Sequence, residues 1–90
     1  MTAASEDTLK SLLPLLRLLR EIKGVREARP GVFQHRARPF IQIVEESGVA
    51  SAELRKAGAG GFDRFAVDTP AAQRKLVDEA KRRAARSDED

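Results

Sequence analysis

The sequence predicts an α+β fold made of an N-terminal helix, an antiparallel meander sheet of three to five strands and a C-terminal helix. A leucine-rich segment near the N-terminus repeats its apolar residues with the helical period. The chain between residues 24 and 68 instead alternates apolar and polar residues and is divided by turn markers. A capped helical segment follows. The strand connections are short, which favours antiparallel neighbours because a parallel crossover needs about a dozen residues or more.

The first helix is predicted at residues 12–23, with Ser11 as its N-cap and Gly24 as its stop. Pro14 sets this start, because a proline costs about 3 kcal/mol deep inside a helix and little in the first turn. Residues 8–10 are expected to form a separate turn ahead of the helix.

The apolar stripe of this helix is wide. Most of its leucines fall on one side when successive residues are placed about 100° apart, but Leu13 and Leu18 lie at the two edges. One sheet face rarely covers so wide a stripe. The helix is therefore expected either to lie between two surfaces of its own domain or to share its apolar residues with a second chain.

Turn markers divide the middle of the chain into strand-length segments. These markers are Pro30-Gly31, Arg38-Pro39, Ser47-Gly48 and the Ala-Gly-Ala-Gly-Gly loop at residues 57–61. The predicted strands are residues 25–29, 32–37, 40–46, 49–54 and 62–68.

The two faces of the sheet follow from the hairpin around Arg38 and Pro39. If these two residues form the loop, His35 lies opposite Gln42 on the next strand. This register separates a face toward the helices, with Phe33, Ala37, Phe40 and Val44, from a far face, with Val32, Ile41 and Ile43 surrounded by Gln34, Arg36 and Glu45.

A second helix is predicted after Asp68. Thr69 is suited to the N-cap, and Pro70 is suited to the first helical position. The polar residues 87–90 are expected to form a tail. The apolar positions with helical spacing are Leu76, Val77, Ala80 and Ala84.

Length and composition indicate one small domain covering residues 1–90, with an ordered core at residues 11–86. With 41% hydrophobic and 34% charged residues, the chain is too apolar for a disordered protein. The absence of cysteine excludes disulfides and thiolate metal clusters and predicts a cytoplasmic location. Glu6, Asp7 and Arg17 exclude a signal peptide or a membrane span at the leucine run, since a span needs about 20 apolar residues.

No set of residues has a catalytic or metal-binding pattern. His35 is the only histidine, and without a second histidine or a cysteine it is expected to pack in the sheet. Glu45, Glu46 and Glu53 are expected near strand ends, where carboxylates are usually solvated. The glycine loop leads into a strand, whereas a phosphate-binding loop leads into a helix. We therefore predict no catalytic residue, no metal and no cofactor.

Charge is distributed unevenly along the chain. Residues 20–38 carry six basic residues against two acids, whereas residues 40–54 carry three acids and no base. Arginines in a hairpin can bind phosphate oxygens without base-specific geometry; alternatively, they simply cover a solvated surface. The residues predicted to bind nucleic acid are Arg26, Arg29, Arg36, Arg38, Lys56 and Arg64.

Four short segments and the order of the elements resemble a known family. Gly-Val-Arg-Glu at residues 24–27, Pro-Gly-Val-Phe at 30–33, Arg-Pro-Phe at 38–40 and the late strand at 65–68 are similar to the YjbR/MmcQ-like group of small bacterial proteins. The chain is shorter than the usual member and lacks the tryptophan found ahead of the last strand. The resemblance implies an α+β sheet capped by helices and a role in binding DNA or another macromolecule, without catalytic residues.

These observations together predict a non-enzymatic cytoplasmic binding module. Its expected partner is a second copy of the chain or another protein, held by apolar residues that the core does not use. The alternatives are nucleic-acid binding through the Arg-rich hairpin and an enzyme that uses His35 with a carboxylate; no membrane partner is expected. The predicted interface residues are Leu13, Leu18, Val32, Ile41 and Ile43.

Overall fold

The computed structural model describes residues 2–56 and 60–89. It confirms the predicted α+β fold, with helices before and after an antiparallel sheet. In chain order the elements are β1 (Thr2–Ala3), α1 (Glu6–Ser11), α2 (Leu13–Arg20), β2 (Val25–Arg29), β3 (Val32–His35), β4 (Arg38–Glu46), β5 (Val49–Arg55), β6 (Phe62–Ala66) and α3 (Pro70–Glu89).

The sheet is a meander in the order β2-β3-β4-β5-β6, and each neighbouring pair is antiparallel. β1, which the sequence does not predict, pairs with β4 at Val44 and Glu45. β3 pairs with β4 only as far as Gln42, so β1 continues the ladder where β3 ends. The middle strand β4 is thereby paired on both sides over most of its length.

The N-terminal helix is divided in two, contrary to the prediction of one helix at residues 12–23. Ser5 caps α1 by accepting a hydrogen bond from the N–H of Thr8, so helical structure begins earlier than predicted. Pro14 has no N–H to donate to the preceding turn, which separates α1 from α2. Ser11 is therefore the last residue of α1 rather than an N-cap, and α2 ends three residues before the predicted end.

The C-terminal helix begins as predicted. Oγ1 of Thr69 accepts a hydrogen bond from the N–H of Ala72 at 3.0 Å, and Pro70 is the first helical residue. The helical backbone continues to Glu89, through most of the predicted tail. The predicted apolar positions Leu76, Val77, Ala80 and Ala84 are all buried.

All three helices pack against one face of the sheet, which we call the inner face. Leucines and Ile22 from the α2 region form one core cluster with the apolar positions of α3 and with this face. Leu9 of α1 packs against the same cluster. The strand residues in the cluster are Phe33, Phe40, Ile41, Ile43, Ala52 and Leu54.

The opposite face, which we call the outer face, carries the alternate residues of the strands. The strand register places Gln42, Glu53 and Arg64 in one row across it. Most of its side chains are exposed or half-buried, because the described helices lie on the inner face. The outer face consists of Arg26, Arg29, Val32, Gln34, Pro39, Gln42, Val44, Glu46, Val49, Ser51, Glu53, Arg55, Phe62, Arg64 and Ala66.

The hairpin between β3 and β4 differs from the prediction in its loop and in its register. The loop is Arg36-Ala37, and Phe33 pairs with Ile41. A β-bulge at Phe40 places two residues of β4 opposite Phe33, so that Phe40 and Ile41 are both buried on the inner face. One extra residue in a strand reverses which alternate set faces the helices.

The prediction that Ile41 and Ile43 lie on the far face is therefore wrong. Each is 1% exposed and belongs to the core, so neither side chain is accessible to a partner. Val32 lies half-buried on the outer face, as predicted. Val44 is buried, at 4% exposure, but it alternates to the outer face and lies outside the core cluster, and Ala37 is exposed in the loop; the prediction that these two residues face the helices is therefore wrong.

The loop residues Arg36 and Ala37 both have left-handed dihedrals, with φ of 54° and 67°. A two-residue hairpin loop in this conformation favours Asn-Gly, because the β-carbon costs roughly 1–2 kcal/mol per residue. We expect the double substitution Arg36→Asn and Ala37→Gly to raise the free energy of unfolding by about 1 kcal/mol, after the extra entropy that glycine loses on folding. Urea denaturation should give a higher midpoint with an unchanged m-value.

Ala66→Gly is the control for this substitution. Ala66 is an exposed strand residue without a left-handed dihedral. Its replacement should lower the free energy of unfolding by roughly 0.5–1 kcal/mol. If the double substitution at Arg36 and Ala37 lowered the free energy of unfolding by the same amount, the strain assigned to this loop would be contradicted.

Candidate functional site

Basic residues gather at one end of the sheet. The antiparallel register brings the start of β2, the β3–β4 loop and the connection after β5 to the same end, because His35 pairs with both Val25 and Arg38 and Arg55 pairs with Phe62. Most of the cations there are exposed, and Arg55 is half-buried. We call this surface the basic end; it consists of Arg26, Arg36, Arg38, Arg55 and Lys56.

Acidic residues gather at the opposite end. Glu45 and Glu46 end β4, and Asp68 follows the end of β6. α1 brings its own acids to this end, because the backbone N–H of Ser5 donates a hydrogen bond to Glu45 Oε1 at 3.1 Å. At about 3.3 Å per strand residue, the two ends of β4 are roughly 25 Å apart. The strands thus separate positive from negative charge along their length.

Four of the six residues predicted to bind nucleic acid lie at the basic end, and two do not. Arg29 ends β2 and pairs with Val32, in the same middle row of the sheet as Gln42. Arg64 lies in the middle of β6, with its guanidinium 3.8 Å from the carboxylate of Glu46. The sequence prediction omitted Arg55, which alternation along β5 places on the outer face beside Phe62. Lys56 Nζ lies 3.8 Å from Asp63 Oδ1, an ion pair that is nearly half exposed on both sides.

The exposed apolar residues do not form one patch. Leu13 and Leu18 are 43% and 45% exposed on α2, but they lie about 140° apart around the helix axis. Val49 and Phe62 lie at opposite ends of the outer face. Single exposed apolar residues are normal on a soluble protein, so this distribution gives weak support to an apolar docking surface.

His35 lies in the core, where its ring centroid is 5.4 Å from that of Phe40. Its Nε2 atom faces Gly24, where a β-carbon would come within 2.9 Å of it. In the described ranges, no group of three or more histidine, cysteine, aspartate or glutamate side chains could hold a metal ion. This placement fits a packing role for His35 rather than proton transfer with a carboxylate.

The fold does not assemble a site from the three carboxylates of β4 and β5 or from the glycine loop. Glu45 alternates toward the helices and Glu46 toward the outer face, while Glu53 pairs with Gln42 near the middle of the sheet. The three carboxylates therefore do not converge. Residues 57–59 of the glycine loop lie outside the described residues, and Gly61 leads into β6.

A groove of about 450 Å³ lies near the acidic end, between α1, the β4–β5 turn and the start of α3. Three of its polar side chains, those of Thr8, Ser11 and Gln73, form hydrogen bonds within the chain. The hydroxyl of Ser11 donates to the carbonyl of Thr8 at 2.7 Å, and Nε2 of Gln73 donates to the carbonyl of Val67 at 2.9 Å. The groove therefore has less to offer a polar ligand than the basic end.

Glu45 connects the N-terminal segment to the sheet by hydrogen bonds. The backbone N–H of Ser5 and the hydroxyl of Thr8 donate to Glu45 Oε1, the latter at 2.7 Å. These hydrogen bonds favour the ionised carboxylate and lower the pKa of Glu45 below its usual range. A carboxyl group with a lowered folded-state pKa stabilises the fold above its unfolded pKa, and this contribution is lost as the pH falls through the folded pKa.

Glu45→Gln should therefore remove part of the acid sensitivity of the fold. We expect the variant to melt at a lower temperature than the wild type near pH 7, and the difference should shrink as the pH falls below about 4.3. Melting curves across this range test the expectation. Glu46→Gln is the control, because the Glu46 side chain is 62% exposed; a pH profile identical for both variants would contradict the role of Glu45.

Arg83 of α3 is a structural residue that was not among the predicted site residues. Its guanidinium donates to Glu79 Oε2 and to Asp63 Oδ2, each at 2.9 Å, and to the carbonyls of Leu54 and Arg55. It also lies 5.7 Å from the ring centroid of Phe65. The Glu79–Arg83 spacing of four residues is the one sequence signal for this arrangement.

Comparisons with protein-family models, with curated proteins and with solved structures give no match for this chain. The resemblance to the YjbR/MmcQ-like group therefore stays a prediction from short segments. Among the described helices, none combines the length and the apolar character that crossing a bilayer requires. The function has to be argued from the surface of the molecule itself.

Proposed function

We propose that this protein is a non-enzymatic cytoplasmic binding module that contacts the phosphates of a nucleic acid through the basic end of its sheet. The observation that carries the proposal is the gathering of Arg26, Arg36, Arg38, Arg55 and Lys56 from three separate strands at one end. Arginine and lysine at such a surface neutralise phosphates and release counterions, which supplies most of the affinity in sequence-independent binding.

The small net charge of +3 does not argue against this proposal. Electrostatic interactions between exposed charges are largely screened beyond about 8–10 Å at physiological salt. The acidic end lies roughly 25 Å away along the strands, so a bound phosphate interacts mainly with the local cations. The relevant quantity is the charge of the basic end, where five cations outnumber the neighbouring carboxylate of Asp63.

The test compares two double variants that remove the same charge from different places. Arg26→Gln with Arg38→Gln alters the basic end, whereas Arg29→Gln with Arg74→Gln alters exposed arginines elsewhere. Labelled single strands and duplexes are titrated with each protein at several salt concentrations. We expect the first variant to reduce the slope of log K against log salt by about 1.5 and the second to keep the wild-type slope.

Two results would contradict the proposal. One is the absence of binding by the wild type at low salt. The other is an equal loss of slope in both double variants, because binding would then depend on net charge rather than on the basic end.

Self-association is the second candidate function, supported by the half-exposed side chains of Leu13 and Leu18 on α2. A symmetric dimer would pack at least one of these two side chains, which lie about 140° apart around α2, against the second copy. Sedimentation equilibrium of the wild type and of Leu13→Gln with Leu18→Gln tests this candidate. A dimer that the double variant dissociates would support it, and a monomer at high concentration would exclude it.

A further inference from the structure

Phe62 differs from the other phenylalanines of the chain. Phe33 and Phe40 are buried in the core, and Phe65 is half-buried beside the Arg83 guanidinium. Phe62 instead is 45% exposed at the start of β6, on the outer face. A large ring in this position contributes little to the core, so its exposed side is available to a ligand.

The neighbours of Phe62 on the outer face include cations. Arg55 lies directly opposite it on β5, while Lys56 alternates to the other face, where its Nζ lies 3.8 Å from Asp63 Oδ1. Arg64 lies two residues along β6 on the same face. Side chains in directly opposite strand positions are about 5 Å apart at their β-carbons, so the ring and the Arg55 side chain share one small surface.

Among the residues that the structure describes, no strand pairs with the outer edge of β6 beside this surface. β6 is the last strand of the meander and pairs with β5 alone in the strand order. The outer face there is also free of the described helices, which pack on the inner face. A flexible polymer can therefore reach the ring of Phe62 without displacing a helix or a strand of the described chain.

We propose that Phe62 is a stacking site for a base of single-stranded nucleic acid, with Arg55 holding an adjoining phosphate. This inference rests on the proposed function and adds the class of nucleic acid to it. An aromatic ring among cations matches a single strand, which presents a base face and phosphates within one nucleotide. A duplex keeps its base faces stacked inside and offers only phosphates to the same surface.

Val49 is an exposed apolar residue that lacks the cationic neighbours of Phe62. It is 62% exposed on the outer face, but it lies at the acidic end and pairs with Glu46. Negative charge beside it would repel a nucleic-acid strand. Val49 is thus a matched control for an effect of exposed apolar area alone.

The experiment measures the affinity of the full chain for three probes of equal length at low salt. The probes are an oligothymidine of about a dozen nucleotides, the same phosphate chain without bases, and a duplex. The proteins are the wild type, Phe62→Leu, Phe62→Trp and Val49→Ala, each checked for an unchanged circular dichroism spectrum. Leucine keeps an apolar side chain and removes the aromatic face, while tryptophan keeps the face.

We expect Phe62→Leu to weaken oligothymidine binding about tenfold with an unchanged salt slope, because base stacking adds to the phosphate contacts. Phe62→Trp and Val49→Ala should bind oligothymidine at least as tightly as the wild type. The base-free chain and the duplex should bind Phe62→Leu and the wild type equally.

Two outcomes would overturn this inference. Wild-type affinity of Phe62→Leu for oligothymidine, or equal wild-type affinity for oligothymidine and the base-free chain, would exclude stacking. Either result, combined with weakened binding by the Arg26 and Arg38 double variant, would leave the proposed function standing. Failure of the wild type to bind any probe would remove both proposals.

Discussion

Replacing Arg83 with leucine should lower the free energy of unfolding by about 2–3 kcal/mol. Its side chain is only 15% exposed; it joins α3 to β6 through the carboxylate of Asp63 and to β5 through two backbone carbonyls, and it also pairs with Glu79 on its own helix. Removing one partner of a buried ion pair costs roughly 3–5 kcal/mol, and the partial exposure of Asp63 reduces that figure. Urea denaturation of the variant measures the loss.

Arg82→Leu is the matched control for Arg83→Leu. Arg82 is the neighbouring residue, pairs with the same Glu79 and has a side chain that is 66% exposed. Its replacement should change the free energy of unfolding by no more than about 0.5 kcal/mol. Arg83→Lys keeps the charge but not the planar guanidinium group. Its free energy of unfolding should therefore fall by most of the amount expected for Arg83→Leu. Equal effects at Arg82 and Arg83 would contradict the structural role of Arg83.

Gly24→Ala should be the other strongly destabilising substitution, with an expected loss of about 3 kcal/mol. Gly24 has a φ of +84°, which costs an alanine roughly 1–2 kcal/mol. The new β-carbon would also lie 2.9 Å from Nε2 and 3.0 Å from Cδ2 of His35, whose buried ring is confined by the core. Such overpacking typically costs a further 1–3 kcal/mol. Thermal or urea denaturation measures the sum.

Gly48→Ala separates the two causes. Gly48 has a φ of +78°, but no atom lies within 4 Å of the position a β-carbon would take, so only the dihedral cost of about 1 kcal/mol should appear. A double-mutant cycle of Gly24→Ala with His35→Ala measures the contact directly. The prediction for Gly24 would fail if its loss equalled that of Gly48, or if the cycle gave no coupling to His35.

The elements that the sequence predicted well are those defined by local chemistry. The start of α3 depends on the hydroxyl of Thr69 and the fixed φ of Pro70, both of which act within one turn. The Ser47-Gly48 turn likewise contains its own left-handed residues. Such signals need no information from distant parts of the chain.

The β3–β4 hairpin was mispredicted because its local signals favour the wrong loop. Arg38-Pro39 carries a proline, whereas the observed loop Arg36-Ala37 has no residue that favours left-handed dihedrals. The bulge at Phe40 then reverses the alternation of β4 and allows the core to bury both Phe40 and Ile41. Packing against the helices decides this register, and packing is a long-range effect.

The candidate site was predictable in its residue types but not in its extent. The sequence identified the arginines of the hairpin, because they lie close together in the chain. It could not separate Arg29 from Arg26, since only the strand register places Arg29 in the middle row, opposite Val32, while Arg26 lies opposite Gln34 near the basic end. The ion pair between Arg64 and Glu46 joins β6 to β4 across β5, which no local pattern reveals.

The separation of charge along the strands also affects how the molecule meets a polyanion. Opposite charges held roughly 25 Å apart give the protein a large dipole moment parallel to β4. In the field of an approaching phosphate chain, this dipole would rotate the protein before contact, so that Arg36 and Arg38 arrive first. The bimolecular association rate should then rise steeply as ionic strength falls, because a greater share of collisions begins in the productive orientation.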